Sequence, residues 1–141
     1  MFTSSYNHTI DAKNRLFIPA KFREKLGDEI VISQSIRNNC LKVCSVAEWD
    51  KYLEPIKKLD RAQSEYILRI MNGNSLSLPL DSTGRVQLTA DLIAYAGLEK
   101  KQVVIVGCGD YAEIWSEEEY DKNVRSADVE KIRNMLENVG L

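Results

Sequence analysis

The chain has 141 residues, with 19 Lys plus Arg against 21 Asp plus Glu, a formal net charge of -2. That length suits one compact domain or two very small ones, and 44% apolar with 28% charged residues describes a globular chain, neither disordered nor fibrous. No apolar run approaches the roughly 18 residues of a membrane span, no charged-then-apolar leader opens the chain, and an evenly spread acidic charge would argue against nucleic acid. These features predict a cytoplasmic protein with no membrane partner.

In chain order, residues 6–10 predict a short strand and 11–14 a turn, where Asn14 tolerates a left-handed backbone. Residues 15–18 run apolar as a second strand. Pro19 then opens a short helix over 20–26, which Gly27 ends. Two strands follow near 30–35 and 41–44. Ser45 and Glu48 form a capping box, each side chain satisfying a backbone donor at a helix start. A bridge over 48–72 is interrupted at Pro55, and Tyr66, Ile67, Ile70 and Met71 give its second half an apolar stripe.

The same series then recurs. A turn ends at Gly84, a strand spans 85–88, and a helix over 90–96 ends at Gly97. Strands near 103–106 and 113–115 flank Gly107-Cys108-Gly109-Asp110, which reads as a hairpin turn because no helix follows it to receive a phosphate. Ser116 and Glu119 repeat the capping box. Ser126 predicts the cap of a last helix, with Val129, Ile132, Leu136 and Val139 at helical spacing. Such a stripe ordinarily faces a core; an oligomer contact is the second reading.

The recurrence is a duplication. Asp11, Arg15, Ala20 and Gly27 stand 70 positions before Asp81, Arg85, Ala90 and Gly97. After the second copy gains three residues, Ile30-Val31-Ile32 matches Val103-Val104-Ile105, and Trp49 matches Tyr120. Each copy of about 45 residues is small for a core of its own, so two interlocked copies sharing one core is the economical arrangement.

The doubled Asp-x-x-x-Arg, the tract Ile18-Pro19-Ala20-Lys21-Phe22-Arg23 and the closing Glu113-Ile114-Trp115 closely resemble the MraZ family, bacterial regulators built from two tandem SpoVT-AbrB-like domains. The resemblance runs from Met1 through the second capping box. It implies a mixed α+β, mainly β fold: a swapped-hairpin AbrB-like β-barrel of two β-β-α-β-β repeats with flanking helices. The corresponding division is a first domain at 5–47, a helical connector at 48–75, a second domain at 76–119 and a C-terminal helical segment at 120–141. The resemblance further implies a ring-like homo-oligomer and sequence-specific binding to double-stranded DNA at promoter repeats. The role implied is transcriptional regulation, usually repression, upstream of the division and cell-wall gene cluster and of the protein's own gene, at the nucleoid.

In the family the two turns carry the DNA contacts, which maps here onto Lys13, Asn14 and Arg15 and onto Thr83, Gly84 and Arg85. Physical chemistry gives those residues plausible work: Arg offers a planar fork for guanine O6 and N7, Lys a point charge for phosphate. Asp11 and Asp81 repel phosphate, so their expected role is to hold the turns by accepting backbone N–H bonds. Lys21, Arg23 and Lys25 read as a solvated helix face. The sequence departs from the family at Asn14, where Gly is usual, at Thr89 in place of Pro, and at Ile93 in place of a basic residue. The first copy is therefore the expected principal reader.

Other classes fit less well. A zinc site wants about four Cys or His ligands, which here would take His8, the single His, together with Cys40, Cys44 and Cys108. Nothing places His8 near a Cys, and three Cys are an odd number for a complete disulfide set. No nucleophile–base constellation is suggested, Glu117-Glu118 reading as surface charge at a helix start; no metal, cofactor or small-molecule substrate is expected. An AbrB-like antitoxin or other protein-binding module is the alternative, against which stands the regular amphipathic end of the chain in place of a disordered tail. Charge is also uneven. Residues 1–27 carry Lys13, Arg15, Lys21, Arg23 and Lys25 against Asp11 and Glu24, a local +3, whereas residues 110–141 carry nine acids against four bases.

Overall fold

The computed structural model describes residues 1–141. The first repeat comprises β1 (Ser5–Thr9), β2 (Arg15–Phe17), α1 (Ala20–Leu26), β3 (Ile30–Gln34), β4 (Leu41–Ser45) and α2 (Val46–Leu53). A 3-10 turn (Glu54–Lys58) and α3 (Arg61–Gly73) lead into the second repeat. This comprises β5 (Ser75–Leu78), β6 (Arg85–Gln87), α4 (Ala90–Ala96), β7 (Gln102–Gly107), β8 (Ala112–Ser116) and α5 (Glu117–Tyr120). A π-helical turn (Asp121–Arg125) and α6 (Val129–Glu137) close the chain.

The repeats trade edge strands. Six strands form one antiparallel sheet in the order β1-β7-β8-β4-β3-β5, so β1 lies beside the second repeat and β5 beside the first. Strand alternation sends Ile30, Ile32, Leu41, Val43, Val103, Ile105 and Ile114 into a single core of 20 buried residues. There they meet Phe22 and Leu26 of α1 and Leu92, Ile93 and Ala96 of α4. Each large side chain buried here contributes roughly 1.5–3 kcal/mol, and both repeats contribute, so neither owns the core. On the outer face Val31 and Cys44 cluster with Trp49 and Leu53, while Cys40 and Val104 cluster with Trp115 and Tyr120. Trp49 and Tyr120, equivalent in the duplication, thus do the same job.

This is not the mainly β barrel that the resemblance implied. Helix accounts for 41% of the chain and strand for 27%, because six α-helices together with the 3-10 and π-helical turns outweigh strands of three to six residues. Nor does a sheet close: β1 and β5 remain edges, while β2 and β6 pair solely with each other as a separate ribbon. A closed barrel requires every strand to have two partners.

Helix starts also differ in detail from the sequence reading. Ser45 Oγ accepts the Glu48 N–H at 3.1 Å and Ser116 Oγ that of Glu119 at 3.0 Å, but the return arm of each box is absent. Glu48 bonds Lys51 instead, and Glu119 accepts from Asn123. The last helix is capped by Asp128, whose Oδ1 takes the Glu130 and Lys131 N–H groups, rather than by Ser126. Close backbone approach explains Gly107: a Cβ there would lie 2.4 Å from the Phe2 carbonyl carbon, in the bridge that Phe2 makes with Gly109.

Neither apolar stripe becomes core. On α3, Tyr66 is exposed, and Leu68 with Met71 packs at the edge of the Trp49 cluster. On α6, Val129, Ile132, Met135, Leu136 and Val139 are all exposed. That helix extends beyond the last strand, where the chain supplies no surface to cover it.

Candidate nucleic-acid interface

The two turns are built alike from local hydrogen bonds. Asp11 Oδ1 accepts the N–H groups of Lys13 (2.8 Å) and Arg15 (2.9 Å), and Oδ2 accepts from Arg15 Nε (2.8 Å). Asp81 Oδ1 likewise accepts from the backbones of Thr83 and Arg85, each at 2.9 Å, and from the Thr83 hydroxyl at 2.8 Å; Oδ2 takes Arg85 Nε at 3.1 Å. These donors stabilise the carboxylate, so both acids sit below the usual range, led by the Arg15 backbone N–H for Asp11 and that of Arg85 for Asp81, which falls to about 2. The fourth residue of each turn is left-handed, Asn14 at φ 60° and Gly84 at φ 82°. Asn and Gly are the residues that adopt that region at least cost.

Long-range pairing then sets the turns side by side. β2 and β6 are antiparallel, with Arg15 opposite Gln87, Leu16 opposite Val86 and Phe17 opposite Arg85. Leu16 and Val86 point into the core, so the period-2 alternation turns Arg15, Phe17, Arg85 and Gln87 to the other face. The Ile18 N–H donates to the Gly84 carbonyl at 3.0 Å and the Leu88 N–H to that of Asn14 at 2.8 Å. Each turn is thereby anchored on the other repeat. Arg85 Nη1 also lies 3.8 Å from Asp11 Oδ2, so Asp11 faces both arginines.

A cation from the opposite repeat braces each turn. Lys101 Nζ donates to Asn14 Oδ1 at 2.6 Å. Arg23 crosses the second turn, its guanidinium 4.9 Å from the Phe17 ring centre and so near Gly84 that a Cβ there would stand 2.5 Å from Nη1. Arg23 Nε is buried without a partner. The solvated-face reading therefore holds for exposed Lys21 and Lys25 but not for Arg23, which folds inward.

All eight residues singled out in the sequence lie in this one region. Gln87, Arg23 and Lys101 were not among them. Gln87 Nε2 reaches the Lys13 carbonyl at 3.2 Å across the ribbon, a contact invisible without the pairing. Lys101 carried one signal: it lies within the stretch where the second copy is three residues longer.

The family model of the MraZ protein, described as antitoxin-like, matches residues 1–69 and again 71–138. The chain belongs to the MraZ family. Three of its curated relatives are called transcriptional regulator MraZ. That of Clostridium acetobutylicum is 34% identical over 144 aligned residues and covers 100% of both chains. That of Desulforamulus reducens is 35% identical over 141, covering 99% of this chain and 97% of its own. That of Alkaliphilus oremlandii is 37% identical over 124, covering 86% and 85%. By name these MraZ relatives are transcriptional regulators. In this structure no group of three His, Cys, Asp or Glu side chains is placed to hold a metal, and no helix is long and apolar enough to cross a membrane.

Proposed function

We propose that the chain is a sequence-specific DNA-binding regulator of transcription that reads DNA with the β2–β6 ribbon. The observation that carries this is the shared face: Arg15 and Arg85, each braced by its own Asp, flank Asp11 on one surface. A two-stranded ribbon fits a major groove, and a bidentate Arg discriminates its base by roughly 1–3 kcal/mol. Lys13 supplies phosphate contact, and Asn14, Thr83 and Gly84 lie where the turns approach the backbone. The MraZ relatives support the regulatory role through their names.

The finer reading follows the family: repression upstream of the division and cell-wall genes, its own promoter included, at the nucleoid and as a homo-oligomeric ring. The uncovered apolar face of α6 favours self-association. Several copies of the ribbon then add their contacts through effective concentration on suitably spaced DNA repeats.

Fluorescence anisotropy with the DNA upstream of the protein's own gene, at several salt concentrations, tests this. Affinity should fall steeply with salt, and Arg15→Ala should weaken specific binding far more than Lys57→Ala, which alters an exposed pair on the 3-10 turn. Equal affinity for unrelated DNA would sink it. Light scattering that finds a monomer at micromolar concentration would remove the ring.

A further inference from the structure

A second concave site opens on the outer face of the sheet, between the Trp49 and Trp115 clusters. It is a cleft of about 440 Å³ whose lining includes Arg37, Lys42, Tyr52, Tyr111 and Glu113, within the size range of small-molecule sites. It lies toward the far end of β7 from the ribbon. Glu113 faces Val106 across the ladder, some five residues and ~17 Å along the sheet from Lys101.

Its charges balance in number but not in space. The cations are Arg37, Lys42 and Lys51; the carboxylates are Glu48, Asp110 and Glu113. Glu48 is bound to Lys51 at 3.2 Å. Asp110 acts on the amino terminus, whose pKa it raises against larger opposing effects. Glu113 stands directly across the strands from Lys42, yet its oxygens are occupied by other donors: Trp115 Nε1 at 3.0 Å, Cys108 Sγ at 3.4 Å and Cys40 Sγ at 3.6 Å. Lys42 is left without an acceptor. Its Nζ sits 3.3 Å from the Tyr52 ring centre and 4.2 Å from that of Tyr111, contacts with the ring faces that attract a cation but accept no hydrogen bond of the N–H···O kind. Partial burial works the other way and lowers its pKa. Arg37 on the rim is exposed and has no ion pair within the chain.

A half-desolvated ammonium with no hydrogen-bond acceptor is costly, and an oxyanion would satisfy it. The geometry points to this cleft as a binding site for a small phosphate-bearing molecule, held by Lys42 as a point charge and by Arg37 as a fork. Tyr52 and Tyr111 lie against the lysine ammonium, and Glu113, whose oxygens accept from Trp115, Cys108 and Cys40, makes no ion pair with it. The assignment does not depend on the DNA reading, since none of these residues belongs to the ribbon.

Isothermal titration calorimetry on the full chain tests it, with inorganic phosphate and ribose 5-phosphate as separate probes at constant ionic strength. Saturable one-to-one binding is expected. Loss of a charged donor in Lys42→Met should weaken it roughly tenfold or more, and Arg37→Ala, on an exposed position that spares the fold, should do likewise. Arg15→Ala should bind as the parent does, which separates failure here from failure of the DNA interface. Equal affinity for the two probes assigns the site to the free anion; tighter ribose 5-phosphate assigns it to a phosphorylated metabolite. No saturable heat with either probe, or undiminished binding in both cleft variants, overturns the proposal.

Discussion

The two turns share a backbone design and differ in what surrounds them. Each has an Asp that accepts two backbone N–H bonds and an Arg Nε, and each has a left-handed fourth residue. The first turn carries Lys13 of its own and Lys101 from the second repeat, acting on the Asn14 side chain. The second has no other basic residue and lies beneath Arg23 of the first repeat, which packs on bare Gly84 backbone. Duplication thus preserved the local hydrogen bonds while the cross-repeat braces diverged. Asn14 offers a side-chain acceptor for a cation, whereas Gly84 offers room for one.

The sharpest way to break this comparison is to remove the arginines singly. Arg15→Ala is expected to weaken specific DNA binding by about ten- to a hundredfold, the range of one lost bidentate contact, and Arg85→Ala by less. Anisotropy titrations in one salt concentration measure both, and equal losses would mean that the turns read DNA as equals. Next in size is Gly84→Ala. It puts a Cβ into a left-handed conformation costing about 1–2 kcal/mol and displaces Arg23 as well. Asn14→Ala should cost less, because a Cβ is already accommodated there; urea unfolding midpoints compare the two.

Removing Lys101 acts on the first turn alone. Lys101→Met should weaken DNA binding by roughly two- to tenfold, the size of one lost hydrogen bond, through the loss of Asn14 support. Unfolding midpoints unchanged by Lys101→Met, beside weakened DNA binding, would place its effect at the interface. The smallest effect concerns acid. The Arg85 backbone N–H and the Thr83 hydroxyl hold Asp81 down to about 2, below the usual carboxylate range, so the turn's bonds are expected to be fully present above about pH 4 and lost as pH falls toward 2. The Arg85 Nε resonance should follow that transition by NMR. Thr83→Ala removes a hydroxyl donor and should raise the Asp81 midpoint while leaving that of Asp11 unmoved.

Much of the local structure was legible because it depends on neighbours a few residues apart. The helices at 20–26 and 90–96 occur as read, since Pro19, Gly27 and Gly97 mark their limits. The Asp11 and Asp81 turn bonds followed from the same short-range logic. The amphipathic pattern of α6 showed that a face needs covering, but pattern alone does not reveal whether the same chain provides the cover. The inward turn of Arg23 was hidden too, because the space above Gly84 exists only after a residue 61 positions away has been brought alongside.

The sequence by itself determined a duplicated unit, two Asp-braced turns, and the membership of these turns in a recognisable family pattern. The hydrogen bonds to their Asp carboxylates close within four residues and need no other part of the chain. Tertiary structure decided that β1 joins the second repeat and β5 the first, that the sheet stays open, and that Arg15 and Arg85 meet over Asp11. Those outcomes depend on which apolar strand faces can be buried together across more than 60 residues. That competition is settled by the packing of one shared core, which no local segment contains.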